Sequence, residues 1–201
     1  PIAEIAKTIR DWKLEIKDSI YPLFHTDAVQ AVQFLECSPE NLGVDLMTFS
    51  SHKVYGPKGI GGLYVRSMAY GVGSKGKSLH PTPYTIHPLI TGGGQEFGLR
   101  SGTENVASIA GLAKALELVE SIRDKEAKRI SRLKQELLDH IFTVMSGAKR
   151  NGGEPSVTNI FNITFPEFSA EEIMLALDRK GLAVSLGSAC QAKSVQPSHV
   201  L

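Results

Sequence analysis

Asp45-Leu46-Met47-Thr48-Phe49-Ser50-Ser51-His52-Lys53-Val54-Tyr55-Gly56-Pro57-Lys58-Gly59 reads as a short buried strand, then a crowd of polar groups, then a Gly/Pro turn. Lys53 stands at the centre of the crowd, preceded by two hydroxyls and an imidazole. Partial desolvation at a strand end favours the neutral form of a lysine and frees its lone pair for Schiff-base chemistry. A loop lysine that merely follows a strand would look the same, and this stretch alone leaves both readings open.

Outward from this centre, Tyr21-Pro22-Leu23-Phe24-His25 predicts a strand ending at Asp27, Val44–Ser50 a second and Gly61–Val65 a third. Upstream, Ile2, Ile5, Ile9 and Trp12 recur at helical spacing and predict an amphipathic helix over 2–14. Helix and strand in alternation predict an α/β fold with a largely parallel sheet. Ligands in such folds sit at the carboxyl ends of the strands, which is where Asp27 and Ser50–Lys53 fall.

Residues 67–88 carry Gly71, Gly73, Gly76 and three prolines with little periodicity, and predict a surface loop. Its His80 and His87 lack the further ligands a metal site needs. Thr91-Gly92-Gly93-Gly94-Gln95-Glu96 then leads to Leu99-Arg100-Ser101-Gly102-Thr103-Glu104-Asn105. Ser101 with Glu104 fits a capping box opening a helix, and a helix start of this kind can seat a phosphate. The glycine run alone is a weak signal and does not match a P-loop.

Val106, Ile109, Ala113, Leu116 and Val119 predict one helix, and Ile130, Leu133, Leu137, Ile141 and Val144 another, ending near Gly147. A second α/β pattern opens near residue 150. It has a strand over Asn159–Phe165, a helix capped by Ser169 and Glu172 and ended by Gly181, and a strand Leu182-Ala183-Val184-Ser185. That strand delivers Leu186-Gly187-Ser188-Ala189-Cys190 into a loop of small residues. Cys190, with Lys193 nearby, is either an accessible, reactive thiol or a packed loop cysteine. Cys37, before Ser38-Pro39, reads as an inert structural residue.

The 201 residues are 42% hydrophobic and 21% charged, which suits an ordinary globular chain large enough for one or two domains. The formal net charge is +1 and no basic block appears, so nothing points to nucleic acid or an anionic membrane surface. No apolar run reaches the length of a membrane span, and no signal peptide opens the sequence. Two distant cysteines fit a reducing compartment. Opening at Pro1 inside a helical pattern and stopping at Leu201 inside apparent structure, the sequence reads as part of a longer chain.

Taken together, the segments resemble the cysteine desulfurases, of the class-V aminotransferase-like, fold type I pyridoxal-phosphate enzymes. The matching motifs are His25-Thr26-Asp27-Ala28-Val29-Gln30-Ala31, Ser50 through Gly59, Gly92 through Glu96 with Arg100 through Asn105, and Gly187-Ser188-Ala189-Cys190 followed by Gln196 through Leu201. Each motif is modest by itself; four in register along nearly the whole chain are specific.

The resemblance implies pyridoxal 5'-phosphate as cofactor, held on Lys53, which would also move the substrate Cα proton. Asp27 would keep the pyridine nitrogen protonated so that the ring is an electron sink. Gln30 would donate to the phenolic oxygen, and Ser50 and His52 would hold the phosphate. Thr103 would reach the phosphate of a partner subunit, which implies a homodimer. The substrate would be L-cysteine and the product L-alanine, with Cys190 carrying the sulfur as a persulfide to a sulfur acceptor or iron–sulfur scaffold protein. The persulfide would serve iron–sulfur cluster assembly or tRNA and cofactor thiolation, in the cytoplasm or, in a eukaryote, an organelle matrix. A long mobile loop after Cys190 would allow the delivery.

By the same resemblance, residues 1–115 would be part of a cofactor-binding large domain, 116–147 connecting helices and 148–201 part of a small α/β domain with the Cys190 loop. Leu186 departs from the serine frequent in the family, and the 67–88 loop is longer than usual. The family's chains are about twice this length, with further phosphate contacts, a ring-stacking histidine and a carboxylate-binding arginine outside the matched region, so activity is expected of the parent protein. Two alternatives stand beside this reading: a selenocysteine lyase-like enzyme, and a non-catalytic module docking on sulfur-transfer partners.

Overall fold

The structure, a computed structural model, describes residues 1–17, 21–66 and 86–186. It divides into two compact units, Pro1–Arg123 and Asp124–Leu201.

In the first unit the expected helix is α1 (Ile2–Glu15), one residue longer than its apolar periodicity suggested. Ala6 is its buried contact, while Ile5 and Trp12 of the same stripe stay largely exposed. Strand β1 (His25–Asp27) is shorter and later than its sequence pattern implied, and β2 (Leu46–Ser50) starts two residues late. Between them Ser38 caps the single-turn helix α2 (Pro39–Leu42), its hydroxyl accepting from the Asn41 amide. Gly43 ends that turn at φ +71°, a conformation open to glycine at little cost.

Strand β2 is central. It pairs in parallel with β1 (His25 opposite Leu46, Asp27 opposite Thr48) and antiparallel with β3 (Gly61–Val65; Leu46 opposite Val65, Ser50 opposite Gly61). The described sheet is therefore mixed rather than largely parallel. The reason is the short Ser51–Ile60 link: a parallel return needs a crossover of about a dozen residues or more. Val44, Met47 and Val54 make the core with Ala28 and Val32, against Leu112, Ala115 and Val119 on one stripe of the long helix α3 (Val106–Val144).

Helix α3 corrects the expectation of two helices. Its middle, Glu120–Arg129, lacks the apolar rhythm but is made of good helix formers. The i,i+3 pairs Glu120–Arg123 and Glu126–Arg129 brace it. The capping box at Ser101 is also absent. The side chain of Asn105 receives the Ser108 amide at 3.2 Å and caps α3, while Ser101 lies buried four residues upstream.

In the second unit β4 (Lys149–Asn151) pairs antiparallel with β5 (Asn162–Thr164), a shorter strand than the predicted 159–165. Asn151 ties the pair by donating to Asn162 Oδ1 and Thr164 Oγ1. Lys134 of α3 donates to Ser156 Oγ and to the carbonyls of Val157 and Ile160, holding the approach to β5. Helix α4 (Ala170–Asp178) follows Ser169, whose hydroxyl makes no capping bond, so the expected box with Glu172 does not form. Residues 182–185 pair with no other described strand. No helix among the described residues is long and apolar enough to cross a membrane.

Candidate active site

Parallel pairing brings the carboxyl ends of β1 and β2 to one edge. Side chains alternate along a strand, and residues opposite one another share a face. Thr26 and Met47 therefore point together toward the core, while His25, Asp27, Thr48 and Ser50 share the other face. A bond confirms this sidedness: His25 Nε2 lies 3.3 Å from Thr48 Oγ1.

Asp27 ends β1 with its carboxylate exposed, and one oxygen accepts the Val29 amide at 2.9 Å. Next to it Ala28 is buried, and its amide donates to the Thr48 carbonyl, continuing the β1–β2 ladder past Asp27. Gln30 follows, exposed, in the turn beyond.

Ser50 ends β2, and the chain tightens into a 3₁₀ turn over Ser51–Lys53. The Ser50 hydroxyl lies 2.8 Å from His52 Nδ1, so these two polar groups present as a pair. Ser51, between them, is fully buried and points the opposite way. Its carbonyl accepts the amides of Val54 and Gly56, and its amide donates to the Ile60 carbonyl. Lys53 is thus half-buried at the end of a turn anchored on both sides, by Ser51 and by the buried Val54. Tyr55 adopts φ +67°, uncommon for a residue with a side chain, and its hydroxyl receives Gln33 Nε2. That bond joins the Lys53 turn to the segment after β1.

Thr103 lies exposed between the glycine loop and α3, without a hydrogen bond to the Asp27–Lys53 group among the described residues. The loop itself is closed by Ser101, whose hydroxyl accepts the Gly94 amide, and by Gln95, which accepts the Gly102 amide. Cys190, Lys193, His80 and almost all of the 67–88 loop fall outside the described residues.

Thr48 escaped the sequence reading. It sits two residues before Ser50, so strand alternation puts it on the same face, but its meeting with His25 depends on register between distant segments. A cavity of about 320 Å³ elsewhere in the first unit is lined by Val32, Cys37, Met47, Phe49, Leu116 and Arg123, among others, and by none of the groups at the strand edge. Burial pushes the Cys37 thiol up, Arg123 opposes this and Glu36 adds to it. A thiol so held is a poor nucleophile.

Over residues 5–201 the chain matches the class-V aminotransferase family, and it belongs to that family. It is 42% identical over its whole length to a cysteine desulfurase IscS of Dictyoglomus turgidum, of which it spans 45%. Among solved structures it resembles a NifS-like protein (TM-score 0.76, 33% identity, 98% of this chain and 48% of the other). It also resembles SspA in complex with cysteine (TM-score 0.65, 31% identity, 100% of this chain and 48% of the other). The chain therefore spans about half the length of the relatives it matches.

The donor set at the edge fits a phosphorylated pyridine aldehyde. Lys53 offers an amine for the aldehyde, Asp27 a carboxylate for a protonated ring nitrogen, and Ser50 with His52 a hydroxyl and an imidazole for phosphate.

Proposed function

We propose that the whole protein is a pyridoxal-phosphate-dependent cysteine desulfurase. The observation that carries this reading is the parallel β1–β2 register, which sets Asp27 level with Thr48 on the edge that continues into Ser50, His52 and Lys53. The names of the relatives support the activity, and a cysteine complex of one similar structure supports the substrate.

Lys53 would hold the cofactor by its amine, Asp27 would hold the ring-nitrogen proton, and Gln30 would donate to the phenolic oxygen. Ser50 and His52 would bind the phosphate, joined by Thr103 from the partner subunit of a homodimer. Pyridoxal phosphate, when bound, supplies an electron sink for bond breaking next to the amino group of the substrate. Lys53, freed when the substrate amine takes its place, would move the proton at the substrate Cα. The Cys190 thiolate would attack the substrate sulfur, giving L-alanine and a persulfide on Cys190. The sum is L-cysteine plus a Cys190 thiol to L-alanine plus a Cys190 persulfide, without an external oxidant. The persulfide would pass to an acceptor or iron–sulfur scaffold protein in the cytoplasm or an organelle matrix. In this reading residues 1–115 belong to the cofactor-binding domain, 116–147 connect, and 148–201 carry the Cys190 loop.

The test uses the whole protein. After incubation with pyridoxal phosphate and borohydride reduction, peptide mapping should find the cofactor on Lys53, and L-cysteine should load Cys190 with one extra sulfur. A Cys190→Ser variant should retain the Lys53 adduct and lose the persulfide. Adduct formation unchanged by Lys53→Ala would overturn the assignment.

A further inference from the structure

We propose that Gly111 of α3 is a positioning residue for Lys53, acting through the ring of Pro57. This rests on the reading of Lys53 as the cofactor-bearing amine, although the geometry itself does not.

The Lys53 turn reaches the core through Gly56 and Pro57. A Cβ on Gly111 would stand 2.7 Å from Pro57 Cγ and 3.0 Å from Cδ. A Cβ on Gly56 would stand 3.2 Å from Ala115 Cβ and 2.1 Å from Ser51 Oγ. Gly111 and Ala115 are four residues apart and so share one face of α3. Gly56-Pro57 is therefore seated on a shallow step in the helix that exists only because both helical side chains are small.

The step lies one short run from Lys53, and that run is tightly tied. Gly56 donates to the Ser51 carbonyl, and so does Val54, which is itself buried. A shift of Pro57 is transmitted through Gly56 to the 3₁₀ turn, because Pro57 is a closed ring that cannot rotate away. Carbon atoms pack at about 3.5–4.0 Å, so a methyl at position 111 must push the ring by about 1 Å. Displacements of that size at a reacting group cost on the order of 100-fold in rate.

At Gly111 the Pro57 contact and local helix preference pull in opposite directions. Glycine is among the poorest residues for a helix interior and alanine the best. Helical stability therefore favours Gly111→Ala, and among the described residues the Pro57 contact is what opposes it.

The experiment uses the whole protein with Gly111→Ala and Gly111→Ala/Pro57→Ala. The first readout is the set of backbone amide NMR shifts over residues 51–55, which reports the turn whether or not Lys53 binds cofactor. The second is the rate at which pyridoxal phosphate forms a borohydride-trappable adduct on Lys53. Gly111→Ala should move the amides and slow the adduct about 10- to 100-fold, with far-ultraviolet circular dichroism unchanged. Adding Pro57→Ala should return the rate to within about 3-fold of the parent.

Unmoved amides in Gly111→Ala, or a slowed rate that the second substitution leaves slow, would overturn the positioning role. If Gly111→Ala does not fold, Ala115→Gly loosens the same seat and should move the same amides, and unmoved amides there would also refute it. A wild-type protein with no adduct on Lys53 but coupled amides would defeat the cofactor reading and leave the mechanical coupling standing.

Discussion

Replacing Asp45 with alanine should remove the knot that sets the register of the active edge. Its carboxylate accepts the Phe24 amide at 2.9 Å, with Lys13 of α1 at 3.6 Å and Arg66 at 3.9 Å. The Asp45 amide also donates to the Phe24 carbonyl, so the two residues clasp one step before β1 and β2 begin to pair. The carboxylate is 18% exposed and Lys13 12%, so water compensates their loss only in part. A hydrogen bond to a charged group contributes about 1.5–3 kcal/mol. The two ion pairs are long and partly wet, so each adds at most about 1 kcal/mol. Asp45→Ala should then destabilise the first unit by about 3 kcal/mol, a large share of an ordinary domain's stability. Asp45→Asn keeps an acceptor for Phe24 and should cost about half as much. Urea titration followed by the fluorescence of Trp12, the one tryptophan, reads both. A loss below about 1 kcal/mol in Asp45→Ala would refute the argument, and so would equal losses in the two variants.

Asn105→Ala should cost about 1 kcal/mol by uncapping α3, seen as faster hydrogen exchange in residues 106–109 with little change elsewhere. Ser51 carries a fully buried hydroxyl with no hydrogen-bond partner among the described residues, so Ser51→Ala should leave stability unchanged or raise it by about 1 kcal/mol. A loss above about 1 kcal/mol in urea would show a partner for that hydroxyl. Cys37 should react with iodoacetamide more slowly than a free thiol at pH 8, and more slowly still in Arg123→Ala, because Arg123 is the group that eases its ionisation. Its folded-state value lies above the unfolded one, so its contribution to stability is complete below the ordinary thiol value of about 8.5 and is lost as pH rises through the folded value. Cys37→Ser should flatten that alkaline decline in urea titrations, and an unchanged slope would contradict it.

The parts legible in the sequence were those set by local pattern. The run Leu46–Ser50, ended by hydroxyls and an imidazole, announced a strand and a polar edge, and Asp27 announced its neighbour. What local pattern could not carry was pairing. The mixed sheet follows from the short link between β2 and β3, whose length is visible in the sequence but acts only through the pairing of the two strands. Residues 182–185 alternate plausibly yet have no described partner, since a strand exists only through another strand. The expected break in α3 failed because apolar rhythm reports packing, whereas charged pairs such as Glu126–Arg129 sustain a helix without it. Ser101 looked like a cap by spacing, but its hydroxyl serves the Gly94 amide and Asn105 took the role.

The unequal connections within the three-stranded sheet also order its assembly in time. Strands β2 and β3 meet across Ser51–Ile60, whereas β1 and β2 must close the longer stretch Ala28–Asp45. Loop closure costs about 0.6 kcal/mol more for each doubling of length, and parallel pairings are the slower kind. The amine-bearing half of the edge is therefore ready before the acid-bearing half joins it. Under the proposed cofactor roles, Lys53 would meet an aldehyde before Asp27 is in place to hold the ring, and productive capture would follow the β1–β2 pairing.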